Sequence, residues 1–162
     1  MAMHDMLVRL YALPSLEAAL GICAARNVTI RRALAPERHA IVEWTRSHFA
    51  SSEAEVATAF AQMPVTCFIA VRDEAMLGFA CYDVTCRNFF GPEGVIAAEQ
   101  GQGIGRALLL AALHAQHALG YAYAIIGGVG PAGFYGKVVG AIDIPGSTPG
   151  IYAGLLPRRK SD

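Results

Sequence analysis

At 162 residues the chain has room for one domain with its own core and needs no second. Thirteen basic residues balance thirteen acidic ones, which argues against nucleic acid as a partner. Hydrophobic content of 54% and a mean hydropathy of +0.39 raise a membrane segment as the alternative, but the most apolar window, 104–129, is broken by Arg106, His114, Gln116 and His117.

The N-terminal run 7–25 carries Arg9, Pro14 and Glu17, unlike a signal peptide. A cytoplasmic domain is expected, with no membrane partner, and the surplus apolar surface points to a homodimer. Cys23, Cys67, Cys81 and Cys86 lack metal or disulfide spacing and read as small buried hydrophobes.

Met6 to Leu13 reads as a strand stopped by Pro14, and Ser15 caps a helix that ends near Asn27. This segment, 1–27, is expected as an extension, an added edge strand or dimer contact, packed on a core domain of residues 28–162. Val28–Ala33 is the first core strand. Pro36 opens a helix, and Ser52-x-x-Glu55 is a capping-box signature for another, stopped by Pro64. Val65–Val71 and Met76–Thr85 form a hairpin across Arg72 to Ala75. In Phe89–Val95, a Pro and two glycines inside a strand pattern mark an interrupted ladder. A helix from Ile104 ends at Gly120, a buried strand covers Tyr121–Gly127, and a short helix follows Pro131. Ile142–Ile144 and Gly150–Leu156 read as a closing hairpin. Arg158-Arg159-Lys160 reads as a solvated tail.

The chemistry is expected at Gln100-Gly101-Gln102-Gly103-Ile104-Gly105-Arg106, where a strand-like run gives way to the long helix. Glycines keep side chains off the backbone N–H groups, and the first helix amides lack intrahelical partners, so an anion is favoured there. A P-loop would need Lys-Ser or Lys-Thr after Gly105, and a dinucleotide fingerprint would need glycine at Arg106. His114 and His117 lie three apart, but no third ligand has suitable spacing, so no metal is expected.

The segment Gln100–Gly105 resembles the acetyl-CoA motif of the GNAT acyltransferase superfamily, Arg/Gln-x-x-Gly-x-Gly/Ala. Gly127-Gly128-Val129-Gly130-Pro131, then Phe134-Tyr135 with Lys137 and Gly140, looks like the short helix of that superfamily that closes over the thioester. The resemblance covers roughly the C-terminal half of the chain. It implies an α/β (α+β) fold: a mixed, mostly antiparallel central sheet with splayed central strands, flanked by helices on both faces. It implies acetyl-CoA as acyl donor, no metal, and a primary amine of a small molecule or peptide as acceptor, acetylated directly in a ternary complex. A GNAT-like domain that binds acyl-CoA without turning it over is the competing expectation.

By the same resemblance, Val95, Ile96 and Ala97 contact pantetheine through their backbone. Gln100, Gly101, Gln102, Gly103, Ile104, Gly105 and Arg106 hold the pyrophosphate, with Phe134, Tyr135 and Lys137 near the thioester. Tyr135 stands where the general acid stands in the superfamily. Glu93, Glu99 and Asp83 are the carboxylates available as base, with Glu93 preferred. His39, Glu43, Trp44, His48 and one of Tyr82 and Asp83 are candidates to touch acceptor. Two departures stand out: Gly133 and Gly136 flank the Phe-Tyr pair where helix formers are usual, and Ala141 replaces a frequent aromatic.

Overall fold

The computed structural model describes residues 3–157; the basic run Arg158-Arg159-Lys160 lies outside them. Among the described residues seven strands form one sheet: β1 (Met6–Arg9), β2 (Thr29–Arg32), β3 (Cys67–Arg72), β4 (Ala75–Tyr82), β5 (Phe89–Val95), β6 (Tyr123–Ile126) and β7 (Ile142–Asp143). Their order is β2-β3-β4-β5-β6-β1-β7, antiparallel throughout except between β5 and β6. Five helices accompany them: α1 (Leu16–Ala24), α2 (Arg38–His48), α3 (Glu53–Ala59), α4 (Ile104–Ala118) and α5 (Ala132–Val139).

The sheet separates two cores. One gathers residues of α1, α4 and α5; the other gathers Ile41 of α2 with Val56 and Ala59 of α3. Side-chain alternation along β4 serves both, with Ala80 and Tyr82 in the first core and Phe79 and Cys81 in the second. Leu108, Leu109, Leu110 and Leu113 of α4 are each fully buried, so this helix is the centre of the larger core. Burying each leucine contributes roughly 1.5–3 kcal/mol of hydrophobic stabilisation.

Local signals set several boundaries. Ser15 Oγ accepts the Ala18 amide at 3.1 Å and caps α1, and Asn27, at φ 60°, ends that excursion. The β3–β4 hairpin turns at Asp73 and Glu74, both at positive φ. Gly120, at φ 98°, follows the end of α4.

Four expectations are corrected. β1 is not an edge: it pairs with β6 on one side and β7 on the other, and Val8 is fully buried. Ser52 makes no capping bond: it ends the 3-10 turn Ala50–Ser52 with helical backbone angles and its amide already on the Phe49 carbonyl at 2.8 Å, while Glu55 accepts the Thr85 hydroxyl at 2.5 Å. No closing hairpin forms: β7 pairs with β1, and Gly150–Tyr152 is a single 3-10 turn. Cys23, Cys67 and Cys81 are buried, whereas Cys86 is exposed.

The feature that positions the site lies between β5 and β6. They pair only at Phe89↔Ile125 and Phe90↔Ile126, after which β5 continues to Val95 without a partner on that side. Gly91, at φ 114°, and a register shift opposite Ala80–Tyr82 bend the strand away.

Candidate functional site

The gap opened by β5 leads to the N-terminus of α4. Gly103, at φ 88°, occupies the N-cap position in a left-handed conformation that a side chain would strain, and it offers no side-chain cap. The amides of Ile104, Gly105 and Arg106 therefore have no intrahelical acceptor, and the helix dipole adds partial positive charge. Two arginines brace the turn. Arg72 on β3 grips Glu99 through two bonds of 2.8 and 3.1 Å, and Arg26, beyond α1, reaches Gln102 Oε1 at 3.2 Å. Glu99 is thus an anchor of the loop rather than a free base.

Along β5, the Ile96 amide bonds to Leu77 O at 3.0 Å. Hydrogen-bonding groups alternate along an antiparallel strand, so the backbone of Val95 and Glu93 turns the other way, into the gap left by β6. The Val95 carbonyl is taken by the Gln100 side chain at 3.1 Å, which leaves the amide. Of the three expected backbone contacts, then, Val95 faces the gap. Ile96 uses its amide on β4, and Ala97 belongs to the exposed 3-10 turn Ala97–Glu99.

A cleft of about 510 Å³ runs along this gap. Val95, Gln100, Gly101, Gly103, Gly105, Arg106, Phe134 and Tyr135 line it, together with Glu93, Gly94, Phe49 and Pro131. Three expected residues stand apart: the Ile104 side chain is buried in the core, Gln102 is held by Arg26, and Lys137 is exposed on α5. Phe49 is a lining residue that the sequence did not single out. Its ring lies so close to Gly94 that a Cβ there would stand 2.8 Å from ring carbon Cε1, and a glycine inside a strand is the signal of such an approach.

A second cleft, of about 340 Å³, lies on the other side of the same wall. Both clefts are lined by Glu93, Pro131 and Tyr135. The second adds Ser51, Glu55, Thr85, Phe89 and Tyr152 from four separate segments. None of these five was anticipated, since each takes its place only through tertiary packing.

At the shared wall the Tyr135 hydroxyl donates to Glu93 Oε2 over a long 3.4 Å. Glu93 as a residue is half-buried, yet its Oε1 is sealed from solvent without a hydrogen-bond partner. Burial pushes its pKa up to about 8, against a smaller lowering by the Tyr135 bond. Tyr135 is buried too, and burial first, then the Glu93 charge, holds its phenol far above its ordinary range, so it stays protonated. The Gly133 and Gly136 pair does not prevent α5 from forming, and Ala141 is buried in the core. Tyr135 packs edge-on against Phe134 and Phe90 at 5.2 and 6.2 Å between centroids.

The other acceptor candidates line neither cleft. Tyr82 is buried and takes a bond from Arg32 at 2.6 Å, while Asp83 caps the turn after β4 by accepting the Asn88 amide at 2.8 Å. His48 stacks on Trp44 at 4.4 Å, Glu43 pairs with Arg46, and His39 lies on the same helix. His114 bonds to the Pro14 carbonyl at 2.9 Å.

No protein-family model matches the sequence, and no curated protein matches it. Solved structures do resemble the fold. A GCN5-related glucosamine N-acetyltransferase region of a fungal multi-domain GH3 β-N-acetylglucosaminidase superposes with a TM-score of 0.73 at 12% identity, over 89% of this chain and 20% of that one. A GCN5-related N-acetyltransferase from Sphaerobacter thermophilus gives 0.62 at 17% identity, over 89% of this chain and 50% of that one. A functionally unknown conserved protein from Staphylococcus epidermidis gives 0.54 at 14% identity, over 88% and 57%. The chain thus spans half or less of the length of the two acetyltransferases. At these identities the likeness establishes the fold, the mixed sheet of GCN5-related N-acetyltransferases. No helix among the described residues is long and apolar enough to cross a membrane.

Proposed function

We propose that this protein, which carries the fold of GCN5-related N-acetyltransferases, transfers acetyl from acetyl-CoA to a primary amine. One observation carries the reading: the Glu93–Tyr135 pair forms the wall between two clefts. The larger suits the donor. Amides at the start of α4 would take the pyrophosphate, the Val95 amide would pair with pantetheine as an added strand does, and Phe134 would cover the thioester. The smaller admits the acceptor. A cytoplasmic setting, where acyl-CoA is at hand, belongs to the same proposal.

The amine nitrogen attacks the thioester carbonyl carbon; a C–N bond forms and the C–S bond breaks. Ionised Glu93 takes the proton that the nitrogen loses. Tyr135 protonates the departing thiolate and recovers a proton from Glu93 across their contact, so the amine's proton ends on CoA. A carboxyl with a pKa of about 8 is suited to this exchange near neutral pH.

Titration calorimetry with acetyl-CoA and release of free CoA thiol in the presence of amines test the reading together. Acetyl-CoA should bind, and Tyr135→Phe should slow thiol release about a hundredfold or more while leaving acetyl-CoA affinity within about threefold. Binding without release by the unaltered protein would point instead to an acyl-CoA-binding domain. Failure to bind would end the acyl-transfer reading.

A further inference from the structure

If the protein transfers acyl groups as proposed, the second cleft also carries information about the acceptor. Its volume of about 340 Å³ sits at the low end for small-molecule sites. The charged residues among its described lining are Glu55 and Glu93; none is Lys, Arg or His. Glu93 has work at the shared wall, but Glu55 does not. Glu55 sits in the first turn of α3, half-buried, with Oε1 on the Thr85 hydroxyl and no cationic partner among the described residues. Phe89 and Tyr152 add aromatic surface, and their packing against Gly127 is tight enough that a Cβ there would stand 2.6 Å from the Tyr152 oxygen.

An ammonium entering this cleft gains a carboxylate without a cation and aromatic rings beside it. A carboxylate or phosphate would meet two acids and no described cation. The nitrogen that attacks must be uncharged, so the positive charge that Glu55 would hold has to belong to a second group on the same molecule. We propose that the cleft selects a short aliphatic diamine, one nitrogen held as ammonium by Glu55 and the other presented uncharged to the thioester beside Glu93 and Tyr135.

Four acceptors of similar reach separate the alternatives in the thiol-release assay: 1,4-diaminobutane, butylamine, 4-aminobutanoate and glucosamine. The diamine should exceed butylamine in kcat/KM by about tenfold or more, and 4-aminobutanoate should fall below butylamine. Glu55→Gln should bring the diamine-to-butylamine ratio close to one, chiefly through KM, while Glu55→Asp, which keeps the charge, should retain part of it. Circular dichroism melts establish that each variant is folded, and the unaltered protein's substrate ratios stand without them. Equal use of diamine and butylamine, preference for glucosamine or 4-aminobutanoate, or an unchanged ratio in Glu55→Gln overturns the inference and leaves acyl transfer in place. No thiol release with any amine overturns the inference, and acetyl-CoA calorimetry then decides whether the donor site falls with it.

Discussion

The two clefts that meet at Glu93 and Tyr135 are made of different material. On the side proposed for the donor the surface is largely backbone: four glycines, the open amides of α4, and a strand that has lost its neighbour. On the side proposed for the acceptor it is side chains, with Glu55, Thr85, Phe89 and Tyr152 brought in from α3, the loop after β4, β5 and the final 3-10 turn. Backbone donors recognise an anionic, extended ligand by geometry and are indifferent to most substitutions that preserve the path of the chain. Side chains recognise charge and shape, so in the proposed reaction this half would set which amine is accepted.

The wall between the clefts is where that division breaks, and Glu93 should be the most sensitive position after Tyr135. Glu93→Gln is expected to lower thiol release roughly a hundredfold and to flatten the part of the pH–rate profile that rises towards pH 8 in the unaltered protein. Stability gives an independent reading with a defined sign. The folded-state pKa of about 8 lies above the ordinary 4.5, so both states are protonated at low pH, while between these values the unfolded chain ionises and the folded one resists. Stability should therefore be full below about pH 4.5 and fall as pH rises towards 8, by an amount of the order of a few kcal/mol. Urea titrations across that range should show the decline reduced in Glu93→Gln; an equal decline would mean that the carboxyl is not buried as described.

The backbone character of the donor side is sharpened by Gly105→Val. A Cβ at that position meets Glu93 Oε1, Phe134 and Val95 at ordinary contact distances of 3.5 to 3.8 Å, so the fold has space for it. The further carbons of valine would enter the cleft. Acetyl-CoA affinity should fall by about tenfold or more with the melting temperature little changed. The smallest effect is expected from Arg72→Ala, which frees Glu99 and loosens the approach to the glycine turn. A loss of about twofold to threefold in acetyl-CoA affinity is expected in calorimetry, weaker still at high salt, where the pair is already screened.

The same contrast explains which features are legible in the chain alone. Helix caps at Ser15 and Gly120, the hairpin turn at Asp73-Glu74 and the glycine turn at 101–105 are each specified within a few residues, by side-chain reach or by φ. The interruption of β5 is legible in Gly91, Pro92 and Gly94, and the Phe134-Tyr135 pair in its setting between Pro131 and Gly140. The local signal fails where a distant partner competes for the same group. Ser52-x-x-Glu55 has the form of a capping box, but Glu55 bonds to Thr85, 30 residues away. The apolar stretch 150–156 has the form of a strand, but Gly150–Tyr152 turns as a 3-10 helix that packs Tyr152 against the distant Gly127, and β7 is left as the edge of the sheet.

By itself, then, the sequence determined most of the elements and the glycine turn before α4, because helix periodicity, caps and positive-φ glycines act over one or two turns of chain. Tertiary structure decided that β1 lies inside the sheet, that Glu99 is bound by Arg72, that Tyr82 and Asp83 are structural, and that Glu93 rather than either of the other carboxylates meets Tyr135. Each of these depends on long-range pairing and on exclusion of water, and burial, which no neighbour in sequence can report, is what raises the Glu93 pKa to about 8.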